Sequence, residues 1–142
     1  MPTDIAFEQL SWPTTTSPVT VSADPTVMLL RDLETWQTFW AQSHRHRLGD
    51  RPPLPAINFE ETMVVVLSAG FRPTGGYRLE IQHIASAATT WEIHYAEVAP
   101  GTNCLVSQRP STPTVLLTVP NQAVQILPVG TTVVTDCELM NK

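Results

Sequence analysis

The sequence predicts a mainly β fold, an antiparallel sandwich or open barrel of about seven or eight strands with one covering α-helix, and three observations lead there. Charged residues make up only 15% of the 142 residues, against roughly 25% in an average soluble domain, while threonine and proline are abundant. Short runs of β-branched and aromatic residues recur between turns containing proline or glycine. Only one stretch, from Asp32 to about Ser43, carries the apolar spacing of an amphipathic helix. The length suits one domain over residues 1–142, large enough to bury its own core.

Near the start, Ile5, Phe7 and Gln9 alternate with Ala6, Glu8 and Leu10, an imperfect strand pattern that ends near Trp12 and Pro13. Residues 14–18 form a polar Thr/Pro link, Val19 to Val21 a brief edge strand, and Asp24-Pro25 a turn. Val27-Met28-Leu29-Leu30 reads as a short buried strand feeding the helix. Asp32 is an N-cap whose carboxylate can accept from the free amides of the first turn. Behind it Leu33, Trp36 and Trp40 fall on one face with Phe39 beside them, an apolar stripe that has to be covered by the sheet. Residues 48–55, with Gly49, Pro52, Pro53 and Pro55, form a stiffened loop, and Ile57 and Phe59 return the chain to the core.

Met63-Val64-Val65-Val66-Leu67 is apolar at every position, which suits a strand covered on both faces. After Arg72-Pro73-Thr74-Gly75-Gly76-Tyr77, the residues Tyr77, Leu79 and Ile81 alternate with Arg78, Glu80 and Gln82, as in a strand with one wet face. These two runs read as a hairpin and, with Trp91, Ile93 and Tyr95, as a three-stranded antiparallel meander. Pro73 fixes its own φ and the paired glycines admit positive φ, so the link is stiff at its entry and sharply bent near its tip. Residues 100–103 form a turn. A second stiff loop at 108–114, holding Pro110 and Pro113, leads into the strand Val115-Leu116-Leu117-Thr118-Val119. Val124 to Leu127 and Thr131 to Thr135 read as two strands split by Pro128 and Gly130.

A net charge of −5 argues against nucleic acid as a partner, since nucleic-acid binders present a basic face. No apolar run approaches the length of a membrane span, and the first residues lack the basic start and apolar core of a signal peptide, so the expectation is a soluble chain. Cys104 and Cys137 lack zinc spacing. They either pair or remain thiols, and two buried free thiols are the reading favoured here.

Catalytic chemistry finds little support. No nucleophile elbow, phosphate loop, dinucleotide fingerprint, zincin motif or calcium loop occurs, and the lone lysine is Lys142. His44-x-His46 lies where the helix ends, whereas such spacing brings two rings together mainly on a strand. His83, by its parity with Ile81, should end the inward face and His94 should face outward, with a turn at 85–89 bringing them close. No catalytic residue, metal ligand or cofactor is assigned.

Several features coincide in order: Trp36-Gln37-Thr38-Phe39-Trp40, then Leu54-Pro55-Ala56-Ile57-Asn58-Phe59, the all-apolar strand, Gly70-Phe71-Arg72-Pro73-Thr74-Gly75-Gly76-Tyr77, Pro100-Gly101 and Ser111-Thr112-Pro113. Together they resemble the PrcB C-terminal domain family over about residues 27–120. That family is named for a lipoprotein subunit of a bacterial surface protease complex. Asn58 stands where the family is expected to have aspartate, and the first residues are not expected to act as a lipoprotein signal, a second departure from the family. The resemblance implies a non-catalytic accessory or interaction domain, a protein partner for which a protease is one candidate, and a family that is often exported. It supplies no active-site residues. Locally, Pro73-Thr74-Gly75-Gly76-Tyr77 is also similar to a loop of chagasin-like cysteine-peptidase inhibitors, immunoglobulin-like sandwiches that insert loops into a protease cleft.

The expected function is therefore protein binding by two stiff loops, with contact residues Arg72, Pro73, Thr74, Gly75, Gly76 and Tyr77 in the first and Pro110, Thr112 and Pro113 in the second. Loops defined by proline and glycine lose less conformational freedom on docking. Arg72 and Tyr77 suit an interface anchor, although the parity of Tyr77 suits the core equally. A peptidase inhibitor is the alternative, and a small enzyme without a readable motif the third.

Overall fold

The computed structural model describes residues 3–10, 24–43 and 53–137. Their elements are β1 (Thr3–Asp4), β2 (Glu8–Leu10), β3 (Thr26–Leu30), α1 (Leu33–Ser43), β4 (Thr62–Ser68), β5 (Arg78–Ala87), β6 (Thr90–Pro100), β7 (Thr114–Pro120) and β8 (Gln125–Thr135). Two four-stranded sheets form, ordered β1-β5-β6-β8 and β2-β7-β4-β3. The expected sandwich with one helix is observed. The segments 11–23 and 44–52, including the suggested strand at Val19 to Val21 and the His44-x-His46 pair, lie outside the described residues.

The all-apolar run behaves as its composition demands. β4 lies between β3 and β7, antiparallel to both, with Val65 opposite Leu29 and Leu117. Met63, Val65 and Leu67 face the space between the sheets, where they meet Leu117, Ile84, Trp91 and Ile93. Val64 and Val66 point the other way and, with Leu116 and Leu30, form a second core beneath Trp36, Phe39 and Trp40. The helix thus covers the outer face of its sheet.

Helix α1 starts where the sequence places it. The Thr35 N–H donates to the Asp32 carboxylate at 2.9 Å, satisfying one of the free amides of the first turn. Trp36 is fully buried, and its indole Nε1–H donates to the Pro55 carbonyl at 3.0 Å. Leu33 departs from the expected stripe and is exposed. Helical side chains lean toward the N-terminus, so a residue in the first turn leans past the start of the helix. Ile57 and Phe59 form no strand but pack against the helix-side core. Between them, Asn58 Oδ1 accepts from the Glu60 N–H, a turn that an aspartate oxygen would make equally well.

Four expectations are corrected. The 63–67 and 78–82 runs are no hairpin: β4 and β5 belong to different sheets, and residues 69–77 carry the chain from one sheet to the other across the end of the sandwich. Alternation fixes which face a strand buries and leaves its neighbour open. The meander reduces to the β5–β6 hairpin.

The strands suggested at 124–127 and 131–135 are one continuous β8, parallel to β6 along eleven register pairs from Thr90–Gln125 to Pro100–Thr135. The sheet is therefore mixed rather than wholly antiparallel. At a sheet edge Pro128 is tolerated, and Gly130 leaves room for the Tyr95 ring, into which a Cβ would project. Third, the β5–β6 register shifts between Ile81 and His83. This bulge passes the inward parity from Ile81 to Ile84, so His83 is exposed instead of facing the core.

Last, Cys104 and Cys137 are not free: they form a disulfide, with their Cα atoms 5.0 Å apart. Because β6 and β8 run in the same direction, the residues just beyond their C-terminal ends emerge side by side. That brings two cysteines 33 positions apart into bonding range.

Candidate interaction site

At one end of the sandwich the two proline-containing loops are stitched together. Arg72 and Ser111 exchange backbone hydrogen bonds at 2.8 and 2.9 Å, and the Gly75 N–H donates to the Ser107 carbonyl at 2.9 Å. The Ser111 hydroxyl donates to the Thr74 carbonyl at 2.7 Å, and the Ala69 N–H to the Pro113 carbonyl at 2.9 Å. Sequence reading expects two stiff loops; the structure joins them into one ridge. Gly76 fits for two reasons. Its φ is +93°, and a Cβ there would stand 2.6 Å from Val106 Cγ1 and 3.1 Å from Pro100 Cγ.

An ion pair fastens this ridge from beneath. Arg72 Nε and Nη2 donate to the two carboxylate oxygens of Glu97 at 2.6 and 2.7 Å, and Nη1 donates to the Phe71 carbonyl at 2.8 Å. Glu97 is buried and continues the inward series Trp91, Ile93, Tyr95 along β6, so a carboxylate ends a row of apolar side chains. Such a group needs a cation, and the fork of Arg72 supplies it in bidentate form. The hydrogen bond to Glu97 raises the Arg72 pKa above its ordinary value, with burial opposing in part. The Tyr95 phenol beside the pair is pushed up, first by burial and then by the charge of Glu97. The Arg72 guanidinium also sits 5.9 Å from the Tyr77 ring centroid, within cation–π range.

The expected contact residues divide by accessibility. Pro73, Gly76 and Pro110 are exposed, with Gln108 and Arg109 beside them. Thr74, Gly75 and Tyr77 are half-buried. Thr112 and Pro113 are buried, and Arg72 turns its guanidinium inward to Glu97, so these three hold the ridge in place rather than offer side chains.

Sequence reading passes over two residues. Glu97 is legible in hindsight as a lone acid of inward parity in a buried strand. Leu105 is fully exposed, at 102% of its reference area, next to the disulfide at the base of the 101–110 loop. Its position between the expected turn at 100–103 and the expected loop at 108–114 gives it no role in sequence.

Elsewhere, the His83 and His94 rings stack with centroids 4.4 Å apart and 9° between planes, and His94 Nε2 lies 3.1 Å from Glu92 Oε1. Among the described residues no group of three or more His, Cys, Asp or Glu could hold a metal ion, and no helix is long and apolar enough to cross a membrane.

Residues 63–120 match the family model described as PrcB C-terminal. The matched span begins in the buried run of β4, crosses the first loop, includes Glu97 and the second loop, and ends with β7. It thus holds both halves of the ridge and both partners of the ion pair beneath it. Comparison with curated proteins and with solved structures gives no match.

Proposed function

With residues 63–120 matching the PrcB C-terminal family as the premise, we propose that this is a non-catalytic protein-binding module of a protease-related assembly, and that the two-loop ridge is its contact surface. The observation that carries the reading is the way the ridge is held. Backbone bonds between the loops and the Arg72–Glu97 pair fix exposed Pro73, Gly76 and Pro110 before any partner arrives, so little ordering entropy opposes docking. Leu105 adds a large apolar side chain at the same end, of the kind that gains most from entering a partner's pocket.

The test is photo-crosslinking in native-host extract from position 105 or 110, with position 37 on the exposed side of α1 as reference. A defined adduct from 105 and from 110, competed by unlabelled protein, is expected, and Leu105→Asp should abolish the adduct from 110. The same adducts from position 37, or an adduct from 110 indifferent to Leu105→Asp, would remove the ridge from consideration.

Peptidase inhibition by the 73–77 loop is the second reading, favoured by the exposure of Pro73 and Gly76 at the end of a sandwich. Titration against cysteine and serine peptidases decides it. Nanomolar inhibition supports it, and full residual activity at micromolar protein eliminates it while leaving the binding module standing.

A further inference from the structure

β8 is the longest strand at a sheet edge, and its second half buries almost nothing. Every residue from 131 to 137 is exposed. Val133 and Val134, which point to opposite faces, are 46% and 65% exposed. One side of the strand pairs with β6; among the described residues no strand is hydrogen-bonded to the other. The remaining edge strands β1, β2 and β3 have two, three and five residues. Long exposed edges are ordinarily protected by charged side chains or bulges, yet no residue of Gln125–Thr135 carries a charge. Pro128 guards the first half alone.

This bare segment is nevertheless held straight to its end. The Gly101 N–H donates to the Thr135 carbonyl at 3.0 Å. Asn103 brackets Cys137, its Nδ2 donating to the Cys137 carbonyl at 2.6 Å and its Oδ1 accepting from the Cys137 N–H at 3.1 Å. The disulfide closes the bracket. The second half of β8, with no core of its own, is thus fixed as an ordered row of backbone donors and acceptors at the sheet edge.

We propose that residues 131–135 are a self-association edge, where a second copy of this chain pairs antiparallel across a two-fold axis and joins two sheets into one. The sequence Thr131-Thr132-Val133-Val134-Thr135 argues for a second copy. A two-fold axis perpendicular to the sheet places a residue opposite its own copy, because opposed side chains must share a face. Centred on Val133, the pairing sets Val133 against Val133, Thr132 against Val134 and Thr131 against Thr135. Each is a β-branched residue facing another, the combination favoured across strands, and Asp136 stays outside the paired segment. So short a seam makes a reversible dimer rather than a permanent one.

Sedimentation velocity on the full chain under non-reducing conditions, from micromolar to millimolar protein, tests this. Wild type is expected to show concentration-dependent dimer. Val133→Lys sets like charges opposite each other and should weaken association at least tenfold, with unchanged tryptophan fluorescence as the check on folding. Val129→Lys, on the same strand outside the seam, should dimerise like wild type. Mixing Val133→Lys with Val133→Glu should restore a dimer that neither forms alone. Monomeric wild type at every concentration, including the case of an edge kept for another protein's strand, overturns the proposal; so does a Val133→Lys dimer of wild-type strength, or a mixture that stays monomeric.

Discussion

The two sheets are made of similar residues and live in different surroundings. β2-β7-β4-β3 is covered on one side by the other sheet and on the other by α1, so β4 is apolar on both faces and β7 buries Val115, Leu117 and Val119 on one face and Leu116 on the other. β1-β5-β6-β8 buries its inner face, while His83, Leu127 and Val129 on its strands are exposed. The difference separates labour. The doubly covered sheet contributes to two hydrophobic cores and the half-covered sheet to one, while the half-covered sheet supplies the edge and the carboxylate on which the ridge is anchored.

That contrast is broken most directly by truncating side chains on each sheet's cover. Trp36→Ala empties the helix-side core and should cost about 3–5 kcal/mol, measured by urea denaturation. Leu127→Ala on the wet side should cost less than about 1 kcal/mol. Equal losses would mean that the helix is an ornament on a sheet stable without it.

Next in size is the fastening of the ridge. Glu97→Gln leaves the Arg72 guanidinium half-buried without its carboxylate, and a loss of about 2 kcal/mol is expected, below the range for fully buried pairs because water still reaches this one. Limited proteolysis should then cut within 72–77 or 107–111 sooner than in wild type. Arg72→Gln combined with Glu97→Gln should cost less than the sum of the single changes; strict additivity would show that the pair is not the link.

A smaller effect of opposite sign is expected in the β5–β6 turn, where Ala88 has φ of 56°. Ala88→Gly relieves that backbone and should stabilise by about 0.5–1 kcal/mol, seen as a raised Tm.

The smallest concerns the helix cap. Hydrogen bonds from Thr35, backbone first, hold the Asp32 pKa below its ordinary 3.8. A depressed folded-state value means a contribution fully present above the unfolded pKa and lost as pH falls through the folded one. Asp32→Asn should keep the cap and flatten the pH dependence of stability below about pH 4, read by thermal melts from pH 5 to pH 2.

The fold class was legible because it depends on composition and periodicity, which act locally. Met63 to Leu67 announced double coverage, Asp32 announced the helix, and the prolines and glycines of 72–77 and 108–114 announced stiffness. Partners were not legible, because a strand's alternation is the same whichever neighbour it takes; hence β4 and β5 looked like a hairpin. One bulged residue after Ile81 reversed the orientation of His83. The parallel run of β8 was hidden by Pro128 and Gly130, which ordinarily end strands, and with it went the only clue that Cys104 and Cys137 would meet. Arg72 looked like an anchor for a partner because nothing local revealed that Glu97, 25 residues on, points into the same space.

The Cys104–Cys137 bond has a bearing on both proposed surfaces. Cys104 precedes Leu105 at the base of the ridge, and Cys137 lies two residues past the edge at 131–135, so one covalent knot secures the root of each. A thiol reductant severs that knot and slackens both surfaces in a single step. Material purified with dithiothreitol and material purified without it would then differ in what they grip while sharing the same folded sandwich.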